Sequence, residues 1–208
     1  MKKINIGILI RPFDQLSDTE LGIYDQLLTS KYVKIKLLIK DGRKKNKKNI
    51  LRFFNFKIFS KAFFVLINKI DQFYFDKNFL KFDNKSILIN KLNKIKSVTL
   101  CPETKKFVDF FNDKQCAKLK KFKLDLIFRN EFNIIKGEIL KIPRFGIWSF
   151  HHGDNDYYRG GPAGFWEVLN NEKTTGVTLQ KLNEDLDGGL IIDKAHFPTQ
   201  LSFIRNNS

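Results

Sequence analysis

Two cysteines, Cys101 and Cys116, are all that 208 residues contain, and no C-x-x-C spacing is formed. That scarcity excludes a disulfide scaffold and a structural zinc finger, and it makes a reduced thiol in the cytoplasm the default expectation. Both thiols read as small buried apolar groups. Long hydrophobic runs are missing too. A membrane helix needs roughly 20 apolar residues, and the longest candidate, Ala62-Phe-Phe-Val-Leu-Ile67, stops at Asn68. The start, Met1-Lys-Lys-Ile-Asn-Ile-Gly-Ile-Leu-Ile10, imitates a signal peptide. Its apolar stretch contains Asn5, meets Arg11 at once and lacks a small-residue cleavage site, so a buried first strand is expected. Glycine fingerprints are absent as well. The first strand-to-helix turn reads Arg11-Pro-Phe-Asp-Gln15, without G-x-G-x-x-G or G-x-x-x-x-G-K-[ST], which argues against a dinucleotide or triphosphate loop there.

What is present is enough for a core: 42% hydrophobic and 14% aromatic residues exclude wholesale disorder, and the length suits about one domain. The net charge of +16 is unevenly placed. From Asp125 onward there are 9 Lys+Arg against 11 Asp+Glu; before it there are 29 against 11. The excess is thickest over 34–48, around Arg43-Lys-Lys-Asn-Lys-Lys48. Such a surface can steer phosphate-bearing partners, or it can be a solvated face of a Lys-, Asn-, Ile- and Phe-rich composition.

Short apolar runs at 4–10 and 33–39 read as buried strands. Between them Ser17-Asp-Thr-Glu20 has capping-box spacing, and Leu21, Tyr24, Leu27 and Leu28 follow on one helical face. Strand, helix, strand predicts a parallel unit. Residues 41–91 form a basic Phe- and Lys-rich insertion that predicts amphipathic helices. The pattern then resumes with a strand at 97–100, a helix over 104–121, and strands at 124–129 and 146–151. A helix at 161–170 and strands at 177–182 and 190–195 complete it. The expected fold is a three-layer α/β sandwich, a single domain over 1–208 with a mostly parallel, Rossmann-like sheet. Trp148 and Phe150, alternating with Ser149 and His151, read as core residues on the opposite face of their strand.

Chemistry concentrates in Phe145-Gly-Ile-Trp-Ser-Phe-His-His-Gly-Asp-Asn-Asp-Tyr-Tyr-Arg-Gly-Gly-Pro162, a strand running into a polar loop, where open α/β sheets place ligands. Downstream, Leu186-Asp-Gly-Gly189 sets a carboxylate and two glycines before a strand, and Asp187 can orient or charge-balance a histidine. His152, Asp154 and Asp156 are donors suited to a metal, but further ligands are lacking, so no metal is expected. In order, His151 ends a strand, Tyr158-Arg159-Gly160 forms a loop, Thr175-Gly-Val-Thr178 forms a strand, and Leu186-Asp187-Gly188-Gly189 follows. These four motifs resemble the 10-formyltetrahydrofolate-dependent formyltransferases, a family that includes glycinamide ribonucleotide, methionyl-tRNA and amino-sugar formyltransferases. The resemblance is specific over about 124–195 and architectural before that.

The resemblance implies attack of a neutral amine on the formyl carbon of 10-formyltetrahydrofolate, with His151 moving the proton or stabilising the oxyanion and Asp187 holding His151 or a water. Ser149 stands where the family carries an asparagine amide that donates to the developing oxyanion; Asn155 in the loop is the alternative amide. His152 and Gly153 replace the family's proline, which marks a divergent branch. Folate-binding positions implied by the resemblance are Phe128, Arg129, Phe132, Ile134, Ile135, Asp185 and Gly188. The acceptor loop is His152, Asp154, Tyr158, Arg159 and Gly160. The expected acceptor is a small-molecule amine, an amino sugar carried on a nucleotide, as in polysaccharide biosynthesis. The rivals are a formyltransferase-fold binding protein weakened or inactive for want of the amide, and a nucleic-acid-binding module using the basic first part. Nucleic acid is not the expected partner. The chain ends soon after the last motif strand, so a fragment or a minimal version is expected.

Overall fold

The computed structural model describes residues 2–43, 82–154, 156–158, 164–185 and 188–200. The run Ile4–Ile10 forms β1, and its last five residues are all buried. A strand apolar on both faces needs cover on both, which suits the middle of a parallel sheet. β1 pairs in parallel with β2 (Val33–Asp41) on one side and β6 (Leu126–Arg129) on the other. β3 (Ser97–Leu100) lies parallel beyond β2, and β8 (Ile147–His152) parallel beyond β6. β9 (Thr174–Lys181) and β10 (Leu190–Pro198) join antiparallel, giving a seven-stranded order β10-β9-β8-β6-β1-β2-β3. The chain runs from β1 outward in one direction and returns to β6 on the other side. The carboxyl ends of β1 and β6 therefore flank a topological switch point.

Helices cover both faces. α1 (Asp18–Thr29) starts at a complete capping box: the Glu20 amide donates to Ser17 Oγ at 3.2 Å, and the Ser17 amide donates to the Glu20 carboxylate at 2.6 Å. Its Leu21 and Tyr24, with Leu88 and Leu92 of α2 (Lys85–Asn93), pack on Ile6, Ile8 and Ile10. On the other face Leu9, Leu37 and Ile39 meet Cys116 and Leu119 of α3 (Asp113–Lys120). This is the three-layer α/β sandwich that the sequence predicts.

The differences are local. Residues 104–110 are not helical: β4 (Glu103–Lys105) and β5 (Val108–Phe110) make a hairpin turned at Lys106, whose φ is +57°. The helix begins only after Asn112, which caps it with Gln115. β5 also pairs in parallel with β7 (Ile134–Lys136), forming a second, three-stranded sheet. The physical reason is Asp109, fully buried. It accepts from Arg43 Nη1 at 2.5 Å and Nη2 at 2.9 Å, from Thr104 Oγ1 at 2.7 Å, and from Asn133 Nδ2 at 2.9 Å. Such a buried carboxylate is held only where several donors converge, and a strand places them. Trp148 is half-buried and Phe150 is 40% exposed, whereas Ser149 between them is buried; the apolar side of this strand lies toward the rim and not in the core. Cys101 is exposed, unlike Cys116. Of the 41–91 insertion, 44–81 lies outside the described residues, and its end forms α2. Helix α4 (Phe165–Leu169) is shorter than the 161–170 expected, and 161–163 are outside the described residues.

Candidate active site

Register across three strands builds the site. Arg129, at the carboxyl end of β6, stands beside Ser149 on β8, and Ser149 stands beside Gln180 on β9. Alternation along β8 puts Ser149 and His151 on one side of the strand. These groups meet at a cleft of about 140 Å³ walled by Ile134, Ile135 and Leu182 and edged by Asn183 and Asp185. Apolar walls with a few convergent polar groups are what small-molecule sites share.

The guanidinium of Arg129 is fixed on three sides. Its Nε donates to the Asn133 carbonyl at 3.2 Å, Nη2 to the Phe132 carbonyl at 3.0 Å, and Nη1 to Ser149 Oγ at 3.2 Å. Phe132 presents its carbonyl this way because its φ is +75°, and its ring is spent in the core against Phe111. Ser149 Oγ in turn donates to the Phe150 carbonyl at 3.2 Å. A buried hydroxyl that accepts from a cation is a stronger donor than a hydroxyl alone. On the far edge Asn183 folds the turn before β10, its Nδ2 donating to the Gly188 carbonyl at 2.8 Å and its Oδ1 accepting from the Asp185 amide at 3.0 Å.

The described start of the loop after β8 is tied to β9 and β10. Gly153 takes φ +119°, a conformation reserved for glycine; its amide donates to the Gly176 carbonyl at 2.9 Å, and Thr178 Oγ1 donates to its carbonyl at 3.1 Å. Gly176 is bare for a reason, since a Cβ there would stand 2.8 Å from the Cβ of Asp154. Asp154 accepts from Lys194 Nζ at 2.6 Å and pairs with His196 Nε2 at 2.9 Å, while Lys194 also reaches Asp156 at 2.5 Å. Burial pushes the Asp154 carboxyl up, but Lys194, the Asp156 amide and His196 outweigh it and hold it down at about 2. The pKa of His152 is lowered, by desolvation first and by neighbouring His151 second.

Of the residues singled out from sequence, Ser149, His151, Arg129, Ile134, Ile135 and Asp185 line one cleft; Gly188 does not line it, though its carbonyl accepts from the lining residue Asn183 and its neighbour Gly189 does. Phe128 does not line it: the ring packs edge-on against Phe150 at 5.5 Å and against the opposite core cluster. Phe132 does not line it either, being buried in the core. Asp154 and Asp156, read as metal donors, hold Lys194, and Tyr158 binds Glu172 and Asn170 through its hydroxyl. Asn155, Arg159, Gly160 and Asp187 lie outside the described residues. Sequence reasoning passed over Gln180, Asn183 and Lys194. The Asn183-x-Asp185 spacing, an Asx-type turn, is the one signal that pointed to Asn183.

No protein-family model matches the chain. Over 77 residues it is 39% identical to the bifunctional polymyxin resistance protein ArnA of Wigglesworthia glossinidia brevipalpis, covering 36% of this chain and 12% of that protein. Over 78 residues it is 36% identical to the methionyl-tRNA formyltransferase of Agathobacter rectalis, covering 37% of this chain and 25% of that protein. The matched stretch thus spans a quarter or less of these relatives. Among solved structures, phosphoribosylglycinamide formyltransferase from Anaplasma phagocytophilum superposes with a TM-score of 0.58 at 15% identity, covering 99% of this chain and 78% of that one. A formyltetrahydrofolate deformylase from Pseudomonas syringae pv. tomato gives 0.56 at 11% identity, covering 99% and 60%. The sheet is the Rossmann-like α/β fold of these structures. With the sequence matches, it supports placing the chain in the formyltransferase family.

Proposed function

We propose that the chain transfers a formyl group from 10-formyltetrahydrofolate to an amine on an amino sugar. The observation that carries this reading is the convergence of Arg129, Ser149 and His151 on one cleft at the carboxyl ends of β6 and β8. The donor supplies a formyl group already activated on a folate nitrogen, so the chain's residues have three tasks. Ile134, Ile135 and Leu182 offer an apolar wall to a flat ring, and the polar edge at Asn183 and Asp185 offers it hydrogen bonds. The Arg129-supported hydroxyl of Ser149 turns its one proton from the Phe150 carbonyl to the formyl oxygen as that oxygen turns negative, the work the family assigns to an amide. His151 takes the proton of the attacking amine and returns it to the departing folate nitrogen as the new C–N bond forms and the old one breaks.

The sugar preference rests on the His151-His-Gly-Asp-Asn155 sequence, unlike the tRNA and purine branches in its histidine pair and missing proline. A cytoplasmic setting belongs to the same reading; among the described residues no helix is long and apolar enough to cross a membrane. The test is to incubate the full chain with 10-formyltetrahydrofolate and, separately, nucleotide-linked amino sugars, glycinamide ribonucleotide and methionyl-tRNA, and to follow each acceptor by mass. The expected result is one added formyl group on an amino sugar. Product only on the tRNA or the ribonucleotide moves the acceptor. No product on any, with folate still bound, makes the chain a binding protein that keeps the fold.

A further inference from the structure

Helix α4 is built inside out. Its buried residue is its one carboxylate, Glu167 at 3% exposure, while Trp166 and Leu169 are 39% and 56% exposed. Glu167 Oε1 is enclosed without a hydrogen-bond partner. Burying a carboxylate oxygen unpaired is costly, and native chains keep such groups where they do something. The neighbour that gives it a use is His151. A Cβ built on Gly153 would stand 3.8 Å from Glu167 Oε1 and 3.9 Å from His151 Nε2, so both atoms border the same side of this bare glycine. His151 Nε2 is itself enclosed, on the side of the ring that borders Gly153.

We infer that Glu167 is a positioning residue for His151, its buried charge set behind the ring so that the imidazolium is favoured when His151 takes a proton. This rests on the formyl-transfer reading for its consequence, though not for its geometry. While His151 is neutral the carboxylate lacks a counter-charge; once the proton arrives, the two charges attract across a water-poor gap. The interaction is strongest where charge develops, so it favours the transition state over the bound substrates. Gly153 is part of the device, because any side chain at φ +119° would fill the space between the two groups. Other titratable groups about His151 are His152 on the same strand, Asp185 across the cleft and Tyr158, whose carbonyl borders the same glycine.

The test uses the full chain and two variants, Glu167→Gln and Glu167→Asp, each first checked for a cooperative thermal melt. Only three histidines are present, so the ring-nitrogen NMR signals of His151, His152 and His196 can be assigned by single substitution. At neutral pH, Glu167→Gln is expected to move the His151 signals more than those of His196, whose ring is held by Asp154. Turnover is expected to fall by about tenfold with KM for the formyl donor unchanged, and Glu167→Asp to recover at least about a third of it. On a His151→Ala background, Glu167→Gln should cost nothing further, as for groups that act as a unit. Should Glu167→Gln not fold, the His151 signals of Glu167→Asp carry the decision, since a shortened carboxylate also changes the spacing. His151 signals unmoved in the folded variants, or a full additional loss on the His151→Ala background, overturn the inference. If the wild-type chain forms no product, the formyl-transfer reading fails by itself, and the NMR comparison still decides the coupling.

Discussion

Ser149 accepts a hydrogen bond from Arg129 and lies in the row that ends at His151, so it inherits a cationic partner that an isolated serine would lack. That partner changes what its substitutions should do. Ser149→Ala removes the donor nearest the cleft and is expected to lower kcat by about 10²-fold, the usual cost of losing one oxyanion donor. The thermal shift caused by reduced folate should persist, because the pocket walls are untouched. Ser149→Asn puts back the amide of the family pattern and is expected to hold or raise the rate. Arg129→Lys should behave like a weaker Ser149→Ala, since an ammonium cannot serve two carbonyls and a hydroxyl in the geometry of a fork. Steady-state kinetics beside folate melts check all three, and a Ser149→Ala enzyme at full rate would remove the hydroxyl from the chemistry. Ser149 and His151 were legible from the sequence because the family resemblance marks their positions, and alternation along a single strand sets them on one side. Arg129 could be chosen but its task could not be read, because the register of β6 against β8 decides which side chain it meets. Glu167 was invisible: within the helix expected over 161–170, nothing in Phe165-Trp-Glu-Val-Leu169 sets its carboxylate apart.

At the scale of elements, the strands that carry the site depend on a support that lies outside it. Asp109 on β5 accepts from Arg43 after β2 and from the amide and side chain of Asn133, whose carbonyl in turn holds Arg129. The small β4-β5-β7 sheet therefore braces the loop that aims the guanidinium. Burial pushes the Asp109 carboxyl up, but Arg43, Asn133 and Thr104 outweigh it and keep the group below its ordinary value. Asp109→Ala leaves Arg43 with Asp41 as its remaining carboxylate and strips three donors of their acceptor. The expected cost is about 3 kcal/mol of unfolding free energy, as for breaking a buried pair, read from urea denaturation. Turnover should fall with it at temperatures where the variant is still folded. A variant that is destabilised yet fully active would show that the brace and the site are independent. The sequence concealed this sheet for a physical reason. Residues 104–110 hold too few apolar groups to set a period of two, and what makes them strand is a long-range ionic cluster. The parallel strands and the Ser17 capping box needed no such partner, so local pattern was enough.

Over the whole molecule, charge is laid out so that the acid and neutral states differ. The net charge is +16, so carboxylates tied to cations weigh on the balance between folded and unfolded chain. Asp154 is the clearest, held at about 2 from an ordinary 3.8 by Lys194, a backbone amide and His196 in spite of its burial. A carboxyl whose folded value is below its unfolded one adds stability at neutral pH. It keeps that contribution above the unfolded value and loses it as pH falls through the folded one. For Asp154 the window runs from about pH 5 down to about pH 2. Asp154→Asn retains much of the shape but cannot bind Lys194 and His196 as an anion. At pH 7 the variant should be less stable by about 1 kcal/mol, a figure discounted for the solvent that reaches this pair. As pH falls the wild-type curve should drop toward that of the variant, and the two should meet near pH 2. General repulsion among the Lys and Arg residues also grows in acid, but it acts on both proteins and cancels in their difference. Urea denaturation of the two at pH 7, 4 and 2.5, at one salt concentration, measures that difference directly. A gap that stays constant across the three would mean that the amide fails by packing and that the charge of Asp154 contributes nothing to holding the loop on β10.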